Sequence, residues 1–330
     1  MSDFKHTHHA HCESGVISSM LTYHGLKISE PMVFGLSNAL NFAYIPFVKI
    51  GGMPLVAYRS LPKSIVKNIR KNLKIKMKME TFSSQKEGED RLDKLLKEGK
   101  IVGAQGSMYW LEYVPDELSF HFNAHNFLIY GKDEEKYLIS DPVFAEAVKC
   151  SKKSLSKSRF SKGAMAPKGL LYYPEFIPKD IDFKPIIAKN IKKLSKNMLR
   201  TPVPIAGLKG LRYLAKSILK LQIKDKKYAK LFLGNIVRMQ EEIGTGGAGF
   251  RFMYASFLEE ASELFGGNAV LSDASTMMLE VGDEYREFAL VIAKSIKSKK
   301  DIDFKKISDM LFQIAENEAK VYKKLLGFKA

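Results

Sequence analysis

The chain is poor in cysteine, with two residues in 330, Cys12 and Cys150. So few thiols exclude a disulfide framework, and both are expected reduced, in the cytoplasm. No apolar stretch reaches the 18 or so residues that a membrane-spanning helix needs, so no integral membrane segment is expected. The opening residues are polar and histidine-rich, without the apolar centre of a secretory signal. Acid is also scarce: 36 Asp and Glu stand against 53 Lys and Arg, a formal charge of +17. Three runs, Lys63 to Lys78, Lys149 to Lys168 and Lys184 to Lys224, hold no acid at all. Such a field attracts an acidic partner, whether nucleic acid, anionic membrane or acidic protein. Single-strand binders interleave bases with aromatic side chains. These runs hold few aromatics, which argues against nucleic acid.

What is present is ordinary for a globular protein, 45% hydrophobic and 27% charged. After Cys12, apolar residues at Val16, Ile17, Met20 and Leu21 form a helical stripe, and Gly25 sits where a helix-ending glycine belongs. Residues 62–73 read as a second helix opened by Pro62. "KIKMKMETF" alternates like a strand, "GEDRLDKLLKEGK" reads as a third helix, and "IVGAQG" as a short apolar strand. In "HNFLIYGKDEEKYLISDP", strands at 127–130 and 137–140 flank a turn at 131–133. Pairing about that turn sets His125 opposite Asp141, within contact range. The Ser-, Lys- and Pro-rich segment 151–182 reads as a connector with one strand in "GLLYYPEF". Beyond Lys184 the apolar spacing is helical almost throughout. The expectation is an α+β chain, with a helix packed on an antiparallel sheet over residues 1–180 and a mostly helical domain over 181–330.

"HTHHAHCESG" gathers four of the seven histidines and Cys12 into ten residues. Zinc would accept such donors, but they crowd together and no second ligand pair follows at finger-like spacing. No metal is expected. The thiol offers more. A cysteine at a helix N-terminus sees the positive end of the macrodipole, which favours thiolate. A nucleophilic cysteine also needs a base, held in the correct tautomer by a third group. Cys12, His125 and Asp141 supply nucleophile, base and orienter, with no bound cofactor. Cys150 has no such context and is expected to be inert.

The order Cys, His, Asp resembles papain-like cysteine enzymes, in particular the minimal type of bacteriocin-processing peptidases. More closely, "HTHHAHCESG", "YHGLKISEPMVFGL" and the His…Asp hairpin resemble the N-terminal domain of the butirosin biosynthesis protein H family. "GTGGAGFRFMYASFLEEA" resembles the helical domain that accompanies it. The resemblance implies acyl transfer from the phosphopantetheine thioester of an acyl carrier protein, through an acyl-Cys12 intermediate, to a small-molecule amine. An acidic carrier protein would account for the positive field, with Lys63 to Lys78 or Lys184 to Lys224 as its docking face. A cysteine hydrolase, peptidase or amidase, would use the same three residues. A non-catalytic binder of nucleic acid or anionic lipid would use only the lysines.

The backbone N–H of Cys12 is a natural oxyanion donor. Papain-like enzymes often place a glutamine a few residues before the cysteine as the second donor. This chain has none there, and His6, His8, His9 or His11 is left to substitute. His11, Trp110 (the one tryptophan) and Arg251 are the expected substrate-binding residues. The glycine-rich Gly244 to Gly249 follows a helix rather than a strand, which fails the context of a nucleotide loop and reads as a helix–helix connection bordering an acceptor pocket.

Overall fold

A computed structural model describes residues 3–329. Its elements in chain order are α1 (Cys12–Tyr23), α2 (Glu30–Leu36), β1 (Leu40–Ile50), β2 (Met53–Arg59), α3 (Ser64–Asn72), β3 (Lys76–Glu80), α4 (Gln85–Lys97), β4 (Val102–Gly106), β5 (His125–Asp133), β6 (Lys136–Ser140), β7 (Val148–Ser151), α5 (Lys152–Arg159) and β8 (Leu171–Phe176). Then follow α6 (Phe183–Arg200), α7 (Gly207–Leu219), α8 (Lys226–Val237), α9 (Arg251–Leu264), α10 (Ala269–Lys297) and α11 (Phe304–Leu326). The chain is α+β, and two compact units divide it: residues 1–33 with 65–181, and residues 34–64 with 182–330. Two blocks contiguous in sequence were expected. The segment 34–64 departs from that scheme because its hairpin packs among the C-terminal helices.

The first unit is built on a six-stranded antiparallel sheet in the order β3-β8-β4-β5-β6-β7. Alternation decides its two faces. Val102, Ala104, Phe127 and Ile129 point into a core closed by Leu92 and Leu95 of α4 and Leu155 of α5. On the opposite face, Gly103, Gln105, Asn126 and Leu128 lie in register across β4 and β5. A side chain at Gly103 would strike the ring of Tyr172, at 2.2 Å, so glycine is what lets that ring lie across the strand. Helix α1 packs against β4 and β5.

Three sequence expectations change here. The segment 151–182 is not a connector: it holds α5 and β8, and β8 sits inside the sheet between β3 and β4. Ser154, Ser156 and Ser158, among the serines that suggested a linker, are buried instead, Ser158 Oγ donating to the Ser107 carbonyl at 2.9 Å. The hairpin also turns later than expected. β5 runs to Asp133, which pairs with Lys136, and an irregularity between Ile129 and Gly131 shifts the ladder so that Leu128 faces Ser140. Asp141 therefore continues the ladder beside Phe127, diagonal to His125 rather than opposite it. Diagonal neighbours still lie within reach of long side chains. Third, β1 and β2 form a hairpin that the periodicity did not single out.

In the second unit that hairpin pairs Leu40 with Arg59 and Ile50 with Met53. Its buried side chains join the helices: Tyr44 packs on Tyr213 and Phe232, and Phe42 meets Tyr58 edge-on. Each such aromatic contributes roughly 1.5–3 kcal/mol on burial. Between α8 and α9 the glycine-rich loop is a helix–helix connection, with an unusual backbone. Ala248, Gly249 and Phe250 are consecutive left-handed residues, with φ of 51°, 55° and 70°. Non-glycine residues resist that conformation by on the order of 1–2 kcal/mol each. The Glu241 carboxylate helps hold the loop, accepting from Ala248 N at 3.1 and 3.2 Å.

Candidate active site

Cys12 opens α1, whose N-cap is His11. The His11 ring nitrogen Nδ1 accepts from Ser14 N at 3.3 Å and meets Ser14 Oγ at 2.8 Å. The turn before it is fixed by Glu30. One oxygen of its carboxylate accepts from Ala10 N at 2.8 Å; the other takes His11 N at 2.9 Å and the Ser14 hydroxyl at 2.8 Å. Glu13, fully buried, accepts from Ile65 N and Val66 N at 3.0 and 3.2 Å and so caps α3. A carboxylate at a helix N-terminus satisfies free N–H groups and the dipole together. Gly15 keeps α1 bare where the chain passes it: a side chain there would lie 2.7 Å from the Cβ atoms of His9 and Pro142.

His125 is 2% exposed and Asp141 is fully buried. His125 Nε2 lies 2.6 Å from Asp141 Oδ2. The same carboxylate oxygen accepts from the Tyr113 hydroxyl at 2.9 Å, and Oδ1 from Val143 N at 3.3 Å. With Nε2 engaged, Nδ1 is left for Cys12, which lies near enough to bear on the charge of this imidazole. Burial works against charge on His125, but the Asp141 carboxylate and then Cys12 outweigh it, and the pKa is pushed up to about 10. The imidazole therefore holds its proton at neutral pH. Burial and Asp141 push the Tyr113 hydroxyl well above its ordinary pKa, so it stays a donor. Cys12 at the helix N-terminus and the hydrogen-bonded His125 and Asp141 are thus buried together.

The other sequence candidates are placed as follows. His11 is 3% exposed and serves as the helix cap described, which corrects its expected place in a substrate pocket. His6 is held by Ser140 Oγ and the Phe144 carbonyl, at 2.7 and 3.0 Å, and His9 by Ser19 Oγ at 3.0 Å. His8 is exposed. The histidine run is a strap along the end of β6: His9 N donates to the Pro142 carbonyl at 2.7 Å. Trp110 lies on the turn after β4, 37% exposed, edge-on to Tyr109 and beneath Lys157 Nζ, 5.0 Å from the ring centroid. Arg251 is corrected outright. It is fully buried in the second unit. Its Nε and Nη2 donate to Glu318 Oε1 at 3.2 and 2.8 Å, and its Nη1 to the Gly249 carbonyl at 2.7 Å. Burial opposes its charge, and Glu318 restores it. Tyr285 and Tyr322 donate to the same carboxylate. With Nε, Nη1 and Nη2 all engaged, this guanidinium braces a core. Cys150 is fully buried, and burial pushes its thiol up to about 11.

Sequence reasoning missed Glu13, Glu30, Tyr113 and Gln105. "CESG" and "YVPD" carried no signal for the first and third beyond their nearness to better candidates.

A helix that presents a cysteine at its N-terminus, packed on an antiparallel sheet that carries a hydrogen-bonded His and Asp, defines a papain-like cysteine enzyme. Residues 11–142 match the family described as butirosin biosynthesis protein H, N-terminal, and residues 153–325 match the Domain of unknown function (DUF4872). The chain belongs to the family described as Domain of unknown function (DUF4872), and its N-terminal part is similar to butirosin biosynthesis protein H. No curated protein matches it. Among solved structures, one described as a C39-like peptidase from Bacillus anthracis aligns over 54% of this chain and 98% of its own, at 18% identity and a TM-score of 0.38. Among the described residues no helix is long and apolar enough to cross a membrane.

Proposed function

We propose that the protein is a cysteine-dependent acyltransferase that moves an acyl group from an acyl carrier protein thioester to a small-molecule amine. The observation that carries this reading is the buried grouping of Cys12, His125 and Asp141 in a segment that matches the butirosin biosynthesis protein H N-terminal family. In the reactive form of the pair the imidazole carries the proton that the Cys12 sulfur gives up. The Cys12 sulfur attacks the thioester carbonyl, and the tetrahedral intermediate collapses to acyl-Cys12. The departing phosphopantetheine thiolate takes the proton from His125. The neutral imidazole then accepts a proton as the amine attacks, and the second collapse returns the Cys12 thiolate. Asp141 keeps the ring in its tautomer and orientation throughout.

The partner reading is supported by α3. Its exposed face carries Lys67, Arg70 and Lys71, followed by Lys74, with no acid among them. Glu13, the residue after Cys12, caps that helix, so the basic face is rooted beside the nucleophile. An acidic carrier protein would be steered to it. Trp110 offers an exposed ring for a bound substrate.

The test is intact-protein mass spectrometry with a set of acyl-loaded carrier proteins, on the wild type and on Cys12→Ala. The expected result is an acyl adduct on the wild type alone, discharged by amines faster than by water. Discharge by water at an equal rate would make the protein a hydrolase. No adduct from any donor would overturn the reading.

A further inference from the structure

Gln105 stands on β4, one position before Gly106, which pairs with His125. It is fully buried, yet neither its amide nitrogen nor its amide oxygen has a hydrogen-bond partner among the described residues. Buried polar groups are almost always paired, and an unpaired one calls for a reason. Its surroundings make the omission specific. Gln105 shares its sheet face with Asn126, its register partner, and with the Tyr172 ring that lies across Gly103. Asn126 is satisfied: it donates to the Ala124 carbonyl at 3.0 Å and accepts the Tyr172 hydroxyl at 3.1 Å. Tyr172 feels the charges of Glu13 and Cys12, which marks this as the face that looks toward the start of α1. Ser107 Oγ, two residues along the same row, is also unpartnered. Of the two, the carboxamide has the longer reach and two N–H donors.

We infer that Gln105 is the side-chain donor of the oxyanion hole, completing with the backbone N–H of Cys12 a site for the negative oxygen that forms on acylation. The inference rests on the acyl-Cys12 reading above. When the Cys12 sulfur bonds to the carbonyl carbon, the carbonyl π pair moves onto oxygen, one bond beyond that carbon. Collapse returns the pair and expels the leaving group, so the donor is needed only during the tetrahedral stage. His6, His9 and His11 of the strap are engaged with other groups, and His8 is exposed. A donor carried on the strand beside His125 replaces the pre-cysteine glutamine that the sequence lacks.

The test separates acylation from the reactivity of the thiol itself. Acylation of Cys12 by p-nitrophenyl acetate passes through an oxyanion, whereas alkylation by iodoacetamide does not. Gln105→Met should slow acylation about 10²–10³-fold, the usual cost of one oxyanion donor. It should leave alkylation within about twofold of wild type and the melting temperature unchanged or higher, because an unpaired amide is exchanged for an apolar group. Gln105→Asn, which withdraws the amide by one methylene, should show the same split, and serves if the Met variant fails to fold. Equal acylation of wild type and variants would overturn this inference alone. So would a parallel fall in alkylation, or a melting temperature lowered in both folded variants, which would mark a structural amide. A wild type that is alkylated but never acylated would overturn the acyl-Cys12 reading, and this inference with it.

Discussion

The two units each bury a charged chain of side chains, and the chains differ in what they leave undone. In the second unit Arg251, Glu318, Tyr285 and Tyr322 close on one another, with Nε, Nη1 and Nη2 of Arg251 all engaged. In the first, Asp141 is surrounded by donors, but the chain runs outward through His125 to a sulfur at the start of a helix. The Arg251 arrangement can only hold structure. The Asp141 arrangement ends at a cysteine, the residue proposed above as the nucleophile. Burial and charge alone do not separate the two; what each leaves open at its end does.

The comparison can be broken from either side. Glu318→Ala should cost about 3–5 kcal/mol, since it strands a buried guanidinium. Replacing Arg251 and Glu318 together by methionine and leucine should recover most of that loss, measured by urea denaturation. In the first unit, Asp141→Asn should cut the rate of acyl transfer by about 10²–10⁴-fold with little change in KM. Its stability signature depends on pH. The folded-state pKa of His125 lies above its unfolded value of about 6.5. The contribution is therefore full below about pH 6.5 and is lost as pH rises toward 10. The stability gap between wild type and Asp141→Asn should accordingly narrow across that window; a gap that widened would refute the imidazolium–carboxylate assignment. Charge reversal at Lys67, Arg70 and Lys71 should have the smallest effect. A roughly tenfold rise in KM for the carrier protein at low salt, fading near 0.5 M, is what a screened docking face predicts. Unchanged kinetics would remove α3 as that face.

How much of this the sequence showed depended on range. Cys12 at a helix start was legible because caps and stripes are local. His125 and Asp141 were legible as strand ends, but their diagonal relation was not, because the irregularity near Tyr130 moves the ladder by one. Residues 40–59 carry a Gly51-Gly52 turn between alternating runs, yet Pro46 and Pro54 and two register shifts blurred the period. Segment 151–182 misled through composition, since short serines can be buried when they find carbonyls. Glu13, Glu30 and Tyr113 act through backbone or side chains 16 to 53 positions away, a distance at which no local pattern operates.

The hairpin formed by β1 and β2 has a consequence for how the protein is made. Its partners begin at residue 182, more than a hundred residues downstream of its last strand. At synthesis rates of about 5–20 residues per second, the ribosome extrudes those partners roughly ten seconds after the hairpin emerges. Throughout that wait Phe42, Tyr44, Val56 and Tyr58 have nothing to cover them, and the strand edges are open to any passing chain. Two prolines and Lys49 interrupt the hairpin, and such residues discourage edge-to-edge pairing. The features that hid this hairpin from sequence analysis are the ones that would keep a nascent chain from aggregating through it.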